Sequence, residues 1–254
     1  MSKFLSGLLL AGMLGASAQA DVVRVEVGAG VWQNELVGTL TSGTPAVTFN
    51  TDVLEYKKES KGYAWVNIKH PIPILPNLRV EYAAVDFSGT ASASFEYKDT
   101  VYSANATSDI TLDQIDAIMY YNILDNTAWT TIDLGLDIKL VDAQINAADS
   151  LGANAVSEKE TLPIPMAYGR LRVEVPGTDL GVEGSMKYVS YKSSKVMDYS
   201  VKADYTLTDV LPVDIGLEVG YRFQQFDIDG SDFSIDTTAD LEVDGIFAGA
   251  TIKF

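Results

Sequence analysis

An all-β, antiparallel up-and-down barrel that crosses a membrane with about ten strands is the fold class this sequence predicts, and three observations predict it. Apolar and polar side chains alternate with a strict period of two in segment after segment. No stretch beyond the N-terminal leader approaches the roughly 18 apolar residues of a transmembrane helix. Several alternating segments reach the roughly 9 to 11 residues that a tilted strand needs to cross a bilayer. Such a pattern hides an apolar face from any average: 47% of the 254 residues are hydrophobic, yet mean hydropathy is only +0.08.

The first element is an address. Lys3 is the positive n-region, Phe4 to Leu14 form the apolar run, and Ala18-Gln19-Ala20 is the small-x-small pattern that signal peptidase accepts. Residues 1–20 are therefore expected to be a cleaved signal peptide, with Ala18 and Ala20 as the cleavage residues, and residues 21–254 an outer-membrane β-barrel domain. Export would permit disulfides, but the chain has no Cys, so its stability comes from elsewhere.

Ten strands follow. Val23 to Val31 alternates with Arg24, Glu26, Gly28 and Gly30; Ala64, Val66 and Ile68 with Tyr63, Trp65 and Asn67; Leu78, Val80 and Tyr82 with Arg79 and Glu81. Ile115 to Tyr121 opposes Gln114, Asp116 and Tyr120, and Ile132 to Leu140 opposes Asp133, Asp137 and Lys139. Leu171, Val173 and Val175 face away from Arg170, Arg172 and Glu174, as Val182, Met186 and Tyr188 do from Glu183, Ser185 and Lys187. Tyr199 to Leu207 opposes Lys202 and Asp204, Val213 to Phe223 opposes Asp214, Glu218 and Arg222, and Ile246 to Phe254 closes the series. Residues 93–103 also alternate, so eight or twelve strands remain open and an extra hairpin beyond the membrane is possible.

The connections alternate in length. Pro71 to Asn77, Leu124 to Thr127, Pro176 to Asp179 and Thr208 to Pro212 are rich in residues that favour turns and read as periplasmic turns. Segments 33–61, 89–108, 147–160, 192–195 and 229–240 read as outward loops, mostly long and polar, which puts both termini on the periplasmic side.

Charge sorts with the faces. Arg24, Arg79, Arg170, Arg172 and Arg222 all fall on polar faces, where Glu26, Glu81, Asp116, Asp133, Asp137, Glu174, Glu183, Asp204, Asp214 and Glu218 accompany them, with Lys139, Lys187 and Lys202. An Arg turned to lipid near the midplane costs about 2–4 kcal/mol, so this sorting predicts a charge-paired lumen. A barrel of about ten strands is narrow enough for side chains to fill much of it. The formal charge of −17 argues against sequence-independent nucleic-acid binding, which needs a basic surface. Tyr121, Tyr188, Tyr205, Tyr221, Phe223 and Phe254 lie near the ends of the apolar faces, as interfacial girdles do.

The chain ends on Phe254, preceded at alternate positions by Ile252, Ala250, Ala248 and Ile246. This terminus resembles the C-terminal signature of bacterial outer-membrane barrels, which implies recognition by the barrel-assembly machinery through Phe254, Ile252 and Ala250. Tyr63-Ala64-Trp65-Val66 through His70-Pro71-Ile72-Pro73-Ile74-Leu75-Pro76-Asn77-Leu78-Arg79 resembles a segment of a family of proteobacterial outer-membrane barrels of unassigned function. The resemblance implies fold and a Gram-negative outer-membrane location, with outer-membrane lipids as neighbours; it brings no activity or catalytic residues.

No catalytic constellation is legible. Barrel enzymes of the outer membrane resemble one another in relying on a histidine, and the one histidine here, His70, precedes Pro71 in a turn with no nucleophile placed beside it by the sequence. Neither enzyme activity nor a cofactor is expected. Asp227, Asp229, Asp232, Asp236 and Asp240 crowd one segment and form a weak calcium candidate, but their spacing departs from an EF-hand loop. The expected role is structural or surface-exposed, with a largely filled lumen. Its rivals are a narrow, cation-preferring channel for small solutes and a soluble periplasmic barrel with an apolar ligand inside.

Overall fold

The computed structural model describes residues 23–42, 47–97, 100–149, 155–210, 213–233 and 237–254. The signal-peptide segment, with Ala18 and Ala20, lies outside these residues.

Fourteen strands are described: β1 (Arg24–Ser42), β2 (Val47–Asn50), β3 (Glu59–Lys69), β4 (Asn77–Ala83), β5 (Asp86–Thr90), β6 (Phe95–Tyr97), β7 (Thr100–Tyr102), β8 (Thr107–Thr127), β9 (Thr130–Ala148), β10 (Ala155–Glu174), β11 (Leu180–Tyr191), β12 (Ser194–Val210), β13 (Val213–Ile228) and β14 (Thr237–Lys253). The wall is a closed antiparallel barrel of ten strands. β1 pairs with β3, β3 with β4, β4 with β8, and each strand from β8 to β14 with the next. β14 then returns to β1, with Val31 opposite Ala248 and Gly30 opposite Gly249. β5 continues the wall position of β4 against β8 after a break at Ala84-Val85, bridged by the Leu112 N–H donating to the Val85 carbonyl at 2.6 Å. Closure leaves no sheet edge in the wall, the condition for putting backbone in lipid.

The proximal end, which carries Arg24 and Phe254, has the tight connections. The distal end carries β2 and the small β6–β7 hairpin, whose register pairs Phe95 with Tyr102. The alternation in residues 93–103 is therefore an appended hairpin, and the barrel keeps ten strands.

Three segments expected as loops are in part strand. β1 runs on to Ser42, β10 starts at Ala155, and β14 starts at Thr237. Their outward residues turn polar beyond the apolar stretch, which imitates loop composition while the backbone pairing continues. β8 has 21 residues, about 70 Å along the strand at roughly 3.3 Å per residue, so at a tilt near 45° it rises about 50 Å. The hydrocarbon core of a bilayer takes about 30 Å of that. A second correction concerns the β8–β9 turn. β8 passes through the expected turn Leu124–Thr127 and the chain reverses at Ala128-Trp129, both in the left-handed region at φ 50° and 62°. The Asp125-Asn126 turn chemistry is absorbed by register shifts between Asn122 and Thr127.

Outward faces of the proximal half form an apolar belt: Leu134, Leu136, Met119, Leu171, Met186, Val201, Leu217, Val219 and Ile246 are all exposed. In the distal half the sides exchange chemistry. Trp32, Leu36, Leu40, Phe87, Ile110, Val141, Val196, Phe226, Leu241 and Val243 are buried inside as one apolar cluster.

Candidate functional site: the charged interior

Below that apolar cluster the inward residues are polar. The transition is made by Gln114 of β8 and Gln224 of β13, which exchange two amide hydrogen bonds of 2.9 and 2.7 Å across the barrel. Gln114 also accepts from Lys139 Nζ at 3.0 Å, which ties the transition to the first charged layer.

In that layer Lys139 of β9 lies 2.7 Å from Asp116 of β8 and 3.0 Å from Asp198 of β12, and its side chain is wholly buried. Lys187 of β11 reaches Glu81 at 2.6 Å, Asp116 at 3.2 Å and Asp198 at 3.6 Å. Arg222 of β13 grips Asp198 with two nitrogens at 2.9 and 2.5 Å, the fork geometry that makes Arg a strong carboxylate partner. Asp198 is thus the hub of the layer, though it is absent from the charges singled out above. Extending the Ser200, Lys202, Asp204 face back by one period of two would have included it.

The second layer is nearer the proximal end. Arg170 binds Asp133 at 2.5 Å and Glu183 at 3.0 Å, and Arg172 forks onto Asp204 at 2.5 and 2.9 Å while its Nε donates to Glu174 at 2.6 Å. Lys202 lies 2.9 Å from Glu218, which also accepts from Tyr63 Oη at 2.7 Å and Trp65 Nε1 at 3.1 Å. Arg79 donates to Glu81 at 2.6 Å, and both Arg79 and Lys202 stand over the Trp65 ring, 4.4 and 4.6 Å from its centre. Room for that ring comes from Gly28, where a Cβ would collide with the indole. Tyr120, donating to Asn67 at 2.6 Å, and the Asn77–Asn122 bond of 2.8 Å finish the proximal floor, with Asn122 also bound to Asp133. None of these aromatic and amide partners is distinguishable in sequence from ordinary strand composition.

With the Glu174 side chain, 43% exposed, left at the mouth, the interior therefore holds Glu81, Asp116, Asp133, Asp137, Glu183, Asp198, Asp204 and Glu218 against Arg79, Lys139, Arg170, Arg172, Lys187, Lys202 and Arg222: eight carboxylates to seven cations. That is a formal charge of −1 of the chain's −17, so nearly all the acidic excess lies elsewhere. Asp137 is buried with both carboxylate oxygens lacking a hydrogen-bond partner. Arg24 is exposed and Glu26 and Asp214 are half-buried at the proximal mouth, apart from the two layers. Among these groups lies a cavity of about 50 Å³, bordered by Trp32, Tyr63, Trp65, Lys187, Glu218 and Arg222, with room for a few waters.

The other sequence candidates fall outside this site. His70 sits in the proximal turn, where the Ile72 N–H donates to its Nδ1 at 3.2 Å and its Nε2 lies 3.0 Å from the Pro76 carbonyl. With Nδ1 accepting, Nε2 is the nitrogen that donates. Asp227 and Asp240 face each other across β13 and β14 on the outer wall. Asp232 accepts from the Ser193 N–H and Ser194 hydroxyl, and Asp229 from Ser231, whose two bonds hold the Asp229 carboxyl below its ordinary range. Asp236 lies outside the described residues. Among the described residues no group of three or more His, Cys, Asp or Glu is arranged to hold a metal ion. Ile252 and Ala250 occupy the outward face of β14, with exposed Phe254 just beyond it, its N–H donating to the Val25 carbonyl at 2.9 Å.

This architecture is that of outer-membrane β-barrel proteins. The chain is similar to the outer-membrane protease OmpT from Escherichia coli, with 9% identity over 92% of this chain and 96% of that one, at a TM-score of 0.55. It also aligns with Ail of Yersinia pestis (10% identity, 92% and 99% covered, TM-score 0.40) and the translocator domain of autotransporter NalP from Neisseria meningitidis (14% identity, 98% and 94% covered, TM-score 0.42). No protein-family model and no curated protein sequence matches the chain. At these identities the likeness shows the fold alone.

Proposed function

We propose that this protein is a non-catalytic barrel of the Gram-negative outer membrane, with a filled, charge-paired lumen, whose distal half stands clear of the bilayer as a rigid surface-exposed platform. The observation that carries this reading is the stacking along one axis of two charged layers, a glutamine bridge and an apolar core. Their side chains are mostly buried, and the cavity among the charged layers, of about 50 Å³, has room for a few waters. An apolar plug on top of paired charges opposes ion passage, because an ion entering it would lose hydration with nothing in exchange.

The membrane assignment rests on the apolar belt, the closed wall and the leader, and the segment 63–79 supports kinship with proteobacterial outer-membrane barrels. The non-catalytic reading rests on His70, the one histidine, whose ring nitrogens are both engaged in turn bonds. Two measurements test the proposal. Purified protein refolded into planar bilayers should stay silent under voltage. Steady cation-selective steps would replace the platform with the channel reading, and recovery of the protein from the soluble periplasm without a heat-dependent gel shift would replace it with a ligand-binding barrel.

A further inference from the structure

The connection from β3 to β4 is longer and more apolar than the β10–β11 turn. Between His70 and Asn77 it contains no charged residue, three prolines (Pro71, Pro73 and Pro76), and three large apolar side chains that face solvent: Ile72, Ile74 and Leu75. Ile74, 84% exposed, is the most exposed large hydrophobic among the described residues. The β8–β9 reversal is the two residues Ala128-Trp129, with Trp129 also exposed at this end, whereas the β10–β11 connection carries Thr178 and Asp179. A polar environment would select against Ile-Pro-Ile-Leu at such a tip.

Two independent features show what environment the turn suits. Its backbone polar groups are satisfied in part by the turn itself and by β8. The prolines remove three donors, the His70 N–H donates to Asn77 Oδ1 at 3.0 Å, the Ile72 N–H to His70 Nδ1, and the Leu75 N–H to the Ile72 carbonyl at 3.3 Å. The Pro76 carbonyl is covered by His70 Nε2 and the Ile74 carbonyl accepts from Tyr121 Oη at 2.9 Å. Irregular backbone pays heavily in hydrocarbon unless its N–H and C=O groups are paired this way. The second feature is direction. Tyr121 is on the outward face of β8, in line with Met119 and Ile115, so its bond to Ile74 holds the turn against the outer side of the wall, continuous with the apolar belt.

We propose that residues 71–76 form a preshaped apolar hook that seats Ile72, Ile74 and Leu75 among the acyl chains of the proximal membrane leaflet, with His70 and Tyr121 as its braces. The inference rests on the membrane reading above, and the test separates the two. Because the chain has no cysteine, single Ile74→Cys, Leu136→Cys and Thr178→Cys variants can each carry one bimane probe. They are refolded into phosphatidylethanolamine–phosphatidylglycerol vesicles with brominated acyl chains. Emission should be lost to the brominated lipid at positions 136 and 74 and retained at 178, with aqueous iodide giving the opposite order. A probe at 74 that follows 178 while 136 is quenched overturns the hook and leaves the barrel in its membrane. A probe at 136 that brominated lipid does not quench overturns both.

Discussion

On β9, Leu136 and Ile138 point outward and Asp137 and Lys139 inward; a few residues further along the same unbroken strand, Val141 and Ala147 are buried inside while Asp142 is outside. β8 reverses in the same way between Ile115 and Ile110, and β13 between Arg222 and Phe226. The proximal half is a barrel turned inside out for lipid, and the distal half is built like a soluble barrel around an apolar core. Backbone geometry is common to both. What changes is the solvent against the outer wall, and each half puts on its outer surface what that solvent tolerates and inside what remains.

The two interiors also hold together differently. Distally, burial of Phe226, Leu241 and Ile110 removes apolar surface from water. Proximally there is little apolar surface to bury inside, and the interior depends on ion pairs between carboxylates and cations, with buried Asp137 outside them. Buried ion pairs often gain little net stability over an apolar packing, but removing one partner is costly because the other charge is stranded.

The largest predicted effects come from attacking each interior by its own logic. Arg170→Leu strands Asp133 and leaves Glu183 only the more distant Arg172 and Lys202, each at 3.6 Å, and should cost about 3–5 kcal/mol, read as a lower urea midpoint for unfolding from vesicles. Phe226→Ala should cost a similar amount, about 3–5 kcal/mol, but by cavity formation. The comparison is sharpened by Arg170→Lys, which keeps the charge and should recover part of the loss. Next in size, Leu136→Arg sets a charge against lipid and should cost about 2–4 kcal/mol or block insertion, whereas Gln144→Arg on the same strand and face, distal to the belt, should stay within about 0.5 kcal/mol. Equal effects at both positions would erase the boundary drawn here.

The smallest effect is a pH dependence at the boundary on the distal side. Partial burial raises the Asp113 carboxyl above its ordinary value, the Val85 N–H bond lowers it, and Asp86 and Asp142 raise it further. Because the folded state favours its protonated form, its contribution is present below the ordinary carboxylate range and is lost as pH rises through the folded value. Asp113→Asn keeps an acceptor for Val85 and should bring a small gain in stability at neutral pH that vanishes in acid, measured by urea titration at both pH values.

Much of the wall was legible because strand alternation is local. A side chain's face depends only on its position modulo two, so Arg79, Asp133, Lys139, Arg170 and Glu183 could be put on the polar face one by one, and the leader, the Phe254 terminus and the strand lengths made that face the inner one. The partners were not legible. Lys187 meets Glu81 across 106 residues of sequence, and Tyr63 meets Glu218 across 155, distances that only register and closure convert into contact. Asp198 escaped notice because the alternating stretch was read only from Tyr199 onward, and the next inward residue before Asp198 is apolar Val196. The distal strands read as loops because their outward residues turn polar.

The amino-acid sequence by itself determined the strands, their faces, the sorting of arginine away from the apolar side and the ten-strand rhythm, because each follows from spacing along a few residues. Only the tertiary structure decided which charges pair, that an apolar core caps them, where β8 turns, and that the proline-rich turn lies back along the outer wall. Those depend on the shear and closure of the sheet, which bring together side chains that no local pattern relates.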